Sequence, residues 1–178
     1  MSIYFTSDLH FGHKNIIRYD NRPFLTVEEM DNSLIEKWNN KVKSDDLTYI
    51  LGDVSWYDDA TTAKLINQLN GEKVLIKGNH DYIKTNIEQC FERIYDYKEI
   101  NINDQLIVLC HYPIMFYNRS HYGSYMFYGH VHNSYQWNMI ENYKHELQEL
   151  DIKCNMFNVG TMIWNYEPVT FDEIIKEK

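Results

Sequence analysis

The sequence predicts an α/β protein in which two sheets pack together with helices on their outer faces. Two features point there. The first half alternates short apolar runs with segments of helical periodicity, whereas the second half is dominated by strand-like runs. A single doubly wound sheet would continue the alternation to the end, so the change of pattern argues for two sheets. The length of 178 residues suits one domain, 1–178, that buries a core without disulfides.

The elements follow in order. Residues 2–7 (SIYFTS) form a β-rich run that stops at Asp8 and a polar turn containing Gly12. Residues 27–42 carry Met30, Leu34, Ile35 and Trp38 at helical spacing, behind Thr26 as N-cap. Residues 47–51 (LTYIL) are a buried strand that ends at Gly52 and Asp53. Residues 58–69 fit a helix closed by Asn70 and Gly71. Residues 73–77 (KVLIK) make a third strand, ending at Gly78-Asn79-His80-Asp81, and 83–91 a short helix. Strands are then predicted at 94–97, 99–102, 105–110, 125–128 and 156–159, with a helix at 140–150. A terminal helix starts at Phe171, capped near Thr170. Repeats, low-complexity tracts and linkers are absent from the sequence.

Composition narrows the function. Hydrophobic content of 44% with 24% charged residues describes a globular protein rather than a disordered one. Seventeen basic against 26 acidic residues give a net charge of -9, which repels nucleic-acid duplexes but leaves a small phosphorylated substrate open. Cys90, Cys110 and Cys154 are odd in number and widely spaced, which reads as reduced thiols in a cytoplasmic protein. The N-terminus enters a strand directly, with no leader pattern, and no apolar stretch approaches the roughly 18 residues needed to span a bilayer.

The positions of the polar residues are the most informative feature. Asp8 and His10 follow the first strand, Asp53 the second, Asn79 and His80 the third. His111 follows the strand 105–110, and His130 and His132 follow 125–128. Ligands of open α/β sheets lie beyond the carboxyl ends of strands, so these loops are expected to converge on one rim. Two carboxylates, an amide oxygen and several imidazoles, without a thiolate, suit Mn, Fe, Zn or Ni better than a structural zinc site does. A central carboxylate in such a set can bridge two cations, and two cations can clamp an in-line phosphoryl displacement.

Asp8-Leu9-His10, Gly52-Asp53, Gly78-Asn79-His80-Asp81, His111 and Gly129-His130-Val131-His132 resemble, in order, the five-block signature of the calcineurin-like metallophosphoesterases. The resemblance implies a four-layer α/β/β/α sandwich of two mixed sheets and two divalent ions, manganese foremost. Asp8, His10 and His132 would hold one ion, Asn79, His111 and His130 the other, with Asp53 bridging. His80 matches the family's non-ligand histidine, which stabilises the transition state or protonates the leaving oxygen, and Asp81 would orient it. Gly52, Gly78 and Gly129 would let the backbone turn sharply. The chain is also similar to a small bacterial and phage branch, through Asp8-Leu9-His10-Phe11-Gly12-His13, His111-Tyr112-Pro113 and Arg119-Ser-His-Tyr-Gly-Ser124. Purple acid phosphatases carry Tyr three residues after the bridging Asp; Trp56 stands there, which sets that subgroup aside.

Further residues stand near these blocks. His13 reads either as a contact to the substrate phosphate or as a solvent-facing helix N-terminal residue. Arg18 and His145 read as surface residues. Arg119 and His121 lie between two ligand blocks and are expected to reach the substrate phosphate. Tyr112, Phe116, Tyr117, Tyr122 and Tyr125 flank the same loops and could stack a nucleobase or close the pocket wall, with core packing the reading for most of them. The expected reaction is hydrolysis of a phosphomonoester or phosphodiester of a small molecule, including nucleotides, by a metal-bridging hydroxide. The alternatives are a nuclease acting on nucleic-acid ends and a non-catalytic metal-binding scaffold; the net charge opposes the first and the presence of His80 the second.

Overall fold

In the computed structural model, which describes residues 1–176, the first half of the chain lays down four parallel strands. These are β1 (Ile3–Thr6), β2 (Leu47–Ile50), β3 (Glu72–Ile76) and β4 (Arg93–Tyr95). Helices α1 (Lys14–Tyr19), α2 (Val27–Lys41), α3 (Asp59–Ile66) and α4 (Thr85–Glu88) make the crossovers. The second sheet contains β5 (Tyr97–Ile102), β6 (Gln105–Cys110), β7 (Tyr125–Tyr128) and β8 (Asn155–Asn158), with α5 (Tyr135–Glu149) joining the last two. The chain then returns to the first sheet as β9 (Val169–Thr170), antiparallel to β1, and continues as α6 (Phe171–Lys176). The strand orders are β4-β3-β2-β1-β9 and β5-β6-β7-β8, both mixed.

Side-chain alternation along the strands decides the layering. Phe5, Ile107, Leu109 and Phe127 point inward and form one apolar layer between the sheets, with Leu51 and Ile76 from the strand ends. Their neighbours Val108, Met126, Tyr128 and Met156 point outward and pack with Ile140 of α5. On the other side, Ile50 and Leu75 pack with Met30, Leu34, Trp38 and Ile66 of α2 and α3. Three apolar layers therefore separate helix, sheet, sheet and helix, which is the α/β/β/α sandwich.

Local chemistry accounts for most element boundaries. Thr26 accepts the Glu29 N–H at 3.1 Å and caps α2, and Asp58 accepts the Thr61 N–H at 2.8 Å and caps α3. Asn103 and Asp104 both have positive φ, as a two-residue hairpin turn between β5 and β6 requires. Thr170 and Glu173 cap α6 reciprocally, since each side chain accepts the other's backbone N–H. That Thr170 is also a strand residue was not expected, and neither was β9. The predicted helix 83–91 shrinks to the single turn α4, and 140–150 is the end of a longer α5 that Ser134 caps. Strand 94–97 belongs with the first half: β4 pairs parallel to β3, with Val74 opposite Arg93. The terminal helix was expected to run on from Phe171; positions 177–178 lie outside the described residues.

The carboxyl ends of the strands are stitched together. Ser7 N–H donates to Val159 O at 3.0 Å, Asp8 N–H to Gly52 O at 3.0 Å, and Gly129 N–H to His111 O at 2.9 Å. Both sheets thus deliver their terminal loops to one rim.

Candidate active site

The first strand ends in Asp8 and His10, whose carboxylate and ring are almost wholly buried. Asp8, His10, Asp53 and His132 each offer one donor atom, and these atoms lie within 4.8 Å of one another. His10 Nε2 is 3.2 Å from His132 Nε2 and 3.7 Å from Asp53 Oδ2, and His132 Nε2 is 3.5 Å from Asp8 Oδ1. On the other side of Asp53, its Oδ1 lies 3.6 Å from His111 Nε2, which is 3.1 Å from Asn79 Oδ1. The His130 ring packs edge-on against His111 and Tyr112, at 5.1 and 4.6 Å between centroids. The tertiary structure therefore brings all seven predicted ligands to one place, in two groups around Asp53.

The ring nitrogens that face the centre are set by what holds the opposite nitrogens. His111 Nδ1 lies 2.7 Å from Leu51 O, a group that can only accept, so Nδ1 carries the proton and Nε2 keeps its lone pair. His132 Nδ1 likewise faces Asp20, at 2.9 and 3.0 Å from its two oxygens. Asp20 is in turn held by Arg22, whose Nε and Nη2 both lie 3.0 Å from Oδ2. The same buried guanidinium donates to Leu9 O at 2.9 Å and Asp8 O at 2.8 Å, tying the loop of Asp8 and His10, through Asp20, to that of His132.

Electrostatics favour the bare imidazoles of His10 and His130 and pull His132 and Asp53 toward the proton. Burial holds His10 well below the ordinary imidazole pKa, helped by the neighbouring His132. Burial also lowers His130, with His111 adding to it. His132 goes the other way: burial pulls it down, but the hydrogen bond to Asp20 and the charges of Asp8 and Asp20 outweigh that and raise it. Asp53 is raised by burial against the pull of His111, with the Asp8 carboxylate reinforcing the rise. Two buried carboxylates and two imidazole lone pairs aimed at one another are a poor arrangement alone and a good one around divalent cations. The donor set fits them.

The backbone is strained at the same residues. Asp8, His10, Asp53, His130 and His132 all have φ between 50° and 69°, five of the twelve non-glycine residues in the left-handed region among those described. Such residues persist only where their surroundings dictate them, and here they aim side chains back at the centre. Gly52 has φ +88, as expected for a sharp turn. The other two glycines differ from that expectation: they allow close approach instead. A Cβ on Gly129 would collide with Ser7 Oγ and lie 2.6 Å from Asp8 Oδ2, and one on Gly78 would collide with Asp53 Oδ1.

A family model described as calcineurin-like phosphoesterase matches residues 1–168. The chain belongs to the calcineurin-like phosphoesterase family. This calcineurin-like phosphoesterase is therefore a metal-dependent hydrolase of phosphate esters. It is 36% identical over 176 residues to the uncharacterized protein MJ1445 of Methanocaldococcus jannaschii, covering 98% of this chain and 89% of that one. The gene 66 protein of Mycobacterium phage L5 is 41% identical over 83 residues, 44% of this chain and 39% of the phage protein. Among solved structures, the Aquifex aeolicus protein of unknown function AQ665 superposes with a TM-score of 0.76 at 26% identity, over 99% of this chain and 98% of that one. No helix of the described residues is long and apolar enough to cross a membrane.

The remaining predicted residues of this phosphoesterase divide. His80 donates its backbone N–H to Asp53 Oδ1 at 3.0 Å, and its ring lies 6.1 Å from that of His10 and 4.3 Å from Trp56. His13 is half-buried and stacks on Trp56 at 4.0 Å and 7°, so it faces the site rather than solvent. Asp81 does not act on the His80 ring. Its carboxylate accepts N–H groups from Gly78 at 2.8 Å and from Asp53 and Val54 at 2.9 Å each, which clamps the loops after β2 and β3 together.

Arg119 and His121 are a correction. Arg119 O accepts the Ser124 N–H at 3.3 Å, at the start of β7, whereas the ligands follow its end, about 10 Å of strand away. The reason is topological. β6 and β7 are parallel, so their connection must return the full length of the sheet, and its last residues lie at the opposite edge. Arg18 is exposed over Tyr19 and His145 is exposed, as read. Asp20, Arg22 and the contacts of Trp56 were not anticipated. Asp20 and Arg22 sit in an ordinary-looking turn before Pro23, and the nearest sequence signal is a carboxylate and a guanidinium two residues apart just after the first ligand block.

Proposed function

We propose that this phosphoesterase cleaves a phosphomonoester or phosphodiester of a small molecule or nucleotide, using two divalent cations. Asp8, His10 and His132 would hold one, Asn79, His111 and His130 the other, with Asp53 between. The observation that carries this reading is Asp53 itself. Its Oδ2 lies 3.7 Å from His10 Nε2 and its Oδ1 3.6 Å from His111 Nε2, so one buried carboxylate faces both groups.

When bound, such a pair of cations supplies Lewis acidity that acidifies water and neutralises charge on the phosphate oxygens. Manganese is the first candidate for this oxygen- and nitrogen-rich set, with iron, zinc or nickel as alternatives. The chain's own residues do the rest. Leu51 O and Asp20 orient His111 and His132 and fix the tautomer of each neutral ring in which Nε2 turns its lone pair to the centre. Burial keeps His10 neutral, and therefore a ligand, to lower pH than an ordinary histidine. His80, braced by Trp56 and by its own N–H bond to Asp53, hands a proton to the departing oxygen.

The test is metal-stripped protein reconstituted with Mn, Fe, Zn or Ni and assayed on para-nitrophenyl phosphate and its bis ester. Hydrolysis of at least one ester, and its loss together with both metals in Asp53→Asn, is the expected result. Turnover of neither ester with any of these ions would defeat the proposal.

A further inference from the structure

A cleft of about 350 Å³ opens directly beside His80, between the loop after β2 and the loop after β3. Its floor is Val54, Leu75 and Ile87, all buried, and its mouth carries Trp56 and Tyr82, which are 44% and 78% exposed. The volume lies at the lower end of small-molecule sites, roughly 300–1,000 Å³. It has room for a ring system and not for an oligonucleotide.

Apart from His80, Trp56 and Tyr82, the polar side chains of the cleft are already engaged. Thr62 Oγ1 donates to Ser55 Oγ at 2.8 Å, and Ser55 Oγ accepts the Tyr57 N–H at 3.1 Å. The Asp81 carboxylate is taken up by three backbone N–H groups. Among the described residues, none lining the cleft is a lysine or arginine. A second phosphate or carboxylate on the substrate would meet no lysine or arginine there and would face Asp81, whereas a flat uncharged ring meets aromatic and aliphatic surface. Trp56 connects the cleft to the chemistry, because the ring that walls it also touches His80 at 4.3 Å and His13 at 4.0 Å between centroids.

We propose that this cleft is the leaving-group subsite and selects phosphate esters whose alcohol carries a compact, flat, uncharged ring, such as a nucleobase or an aryl group. The inference rests on the reading of His80 as the group that protonates the departing oxygen. In that step the bond from phosphorus to the alcohol oxygen breaks, water supplies the new oxygen on phosphorus, and the alcohol leaves with the proton. Nothing is oxidised or reduced.

The experiment compares adenosine 5′-monophosphate with ribose 5-phosphate on the Mn-loaded protein, since both release the same kind of primary alcohol and differ in the ring. The expected kcat/KM favours the nucleotide by at least roughly tenfold, as base stacking on aromatic side chains would give. Tyr82→Ala at the mouth and Ile83→Trp, at a half-buried lining residue where the larger ring would fill the cleft, are each expected to shrink that preference to a few-fold through a lower kcat/KM for the nucleotide. Equal rates in the wild type, or a preference that both variants retain, overturn the subsite while the phosphoesterase survives. If neither ester is cleaved, saturation-transfer NMR with adenosine decides. A signal in the wild type that Ile83→Trp abolishes supports the subsite, and absence of the signal overturns it. Failure on the para-nitrophenyl esters as well would be a separate defeat, that of the hydrolase proposal.

Discussion

The Asp20 carboxylate accepts the Nδ1–H of His132 at 2.9 Å, across 112 positions of sequence. Arg22 completes the arrangement by binding Asp20 and the carbonyls of Asp8 and Leu9, so the orientation of His132 depends on a turn far away in the sequence.

Asp20→Asn tests that dependence. An asparagine amide can donate to Nδ1, which would favour the tautomer with its proton on Nε2, the nitrogen that faces the other ligands. Metal affinity is expected to fall about 10–100-fold with the fold retained, the range typical of losing a group that orients a ligand. Titration calorimetry with Mn, beside circular dichroism, checks it; unchanged affinity would mean that the Asp20–His132 bond is incidental.

Acid should compete with metal mainly through His132. Its pKa is raised above the ordinary imidazole value of about 6.5 while that of His10 is depressed, so His132 takes up a proton first as pH falls. Metal affinity should therefore decline as pH drops through the raised value, with a proton released on each binding event below that value and none well above it. For the metal-free protein the sign reverses. The protonated His132–Asp20 pair contributes stability that is fully present below about 6.5 and is lost as pH rises through the raised value. The buried neutral His10 opposes this, costing stability as pH falls below about 6.5. Calorimetry in buffers of different ionisation enthalpy counts the protons, and affinity that strengthens on acidification would contradict the assignment.

His80→Ala separates catalysis from ligation. His80 reaches Asp53 through its backbone N–H, which alanine keeps. The variant should retain both metals by elemental analysis and lose about 10²–10⁴-fold in kcat. His111→Ala should instead lose metal, because its Nε2 faces both Asp53 and Asn79. Metal loss in the His80 variant would make it a ligand.

Asp81→Asn is expected to act on stability. One of its oxygens accepts from Asp53 and Gly78 and the other from Val54, so an amide nitrogen at either place would face an N–H donor. A loss of about 1–3 kcal/mol in urea unfolding follows from one partly buried donor left unpaired. Unchanged stability with a shifted pH-rate profile would restore the role of orienting His80.

That these seven donors gather at one rim was legible because each lies immediately after a short apolar run. Parallel strands send their carboxyl ends to one side, so strand ends read in one dimension predict a rim in three. The same reasoning overreached at Arg119 and His121. Lying between two ligand blocks does not mean lying beside the site when the connection must travel back along a parallel sheet.

Strand ends, their donors and the two-sheet pattern are properties of short stretches, and hydrophobic period and residue chemistry determine them within a few positions. The sheet to which β4 belongs, the clamp of Asp81 on two loops, the Arg22–Asp20–His132 chain and the cleft behind His80 join segments that no local signal connects. Only the tertiary structure decided these. A hydrogen bond or cleft wall made across many tens of residues depends on how whole layers pack, and side chains such as Asp20 and Arg22 look alike in sequence whether they meet solvent or hold a ligand in place.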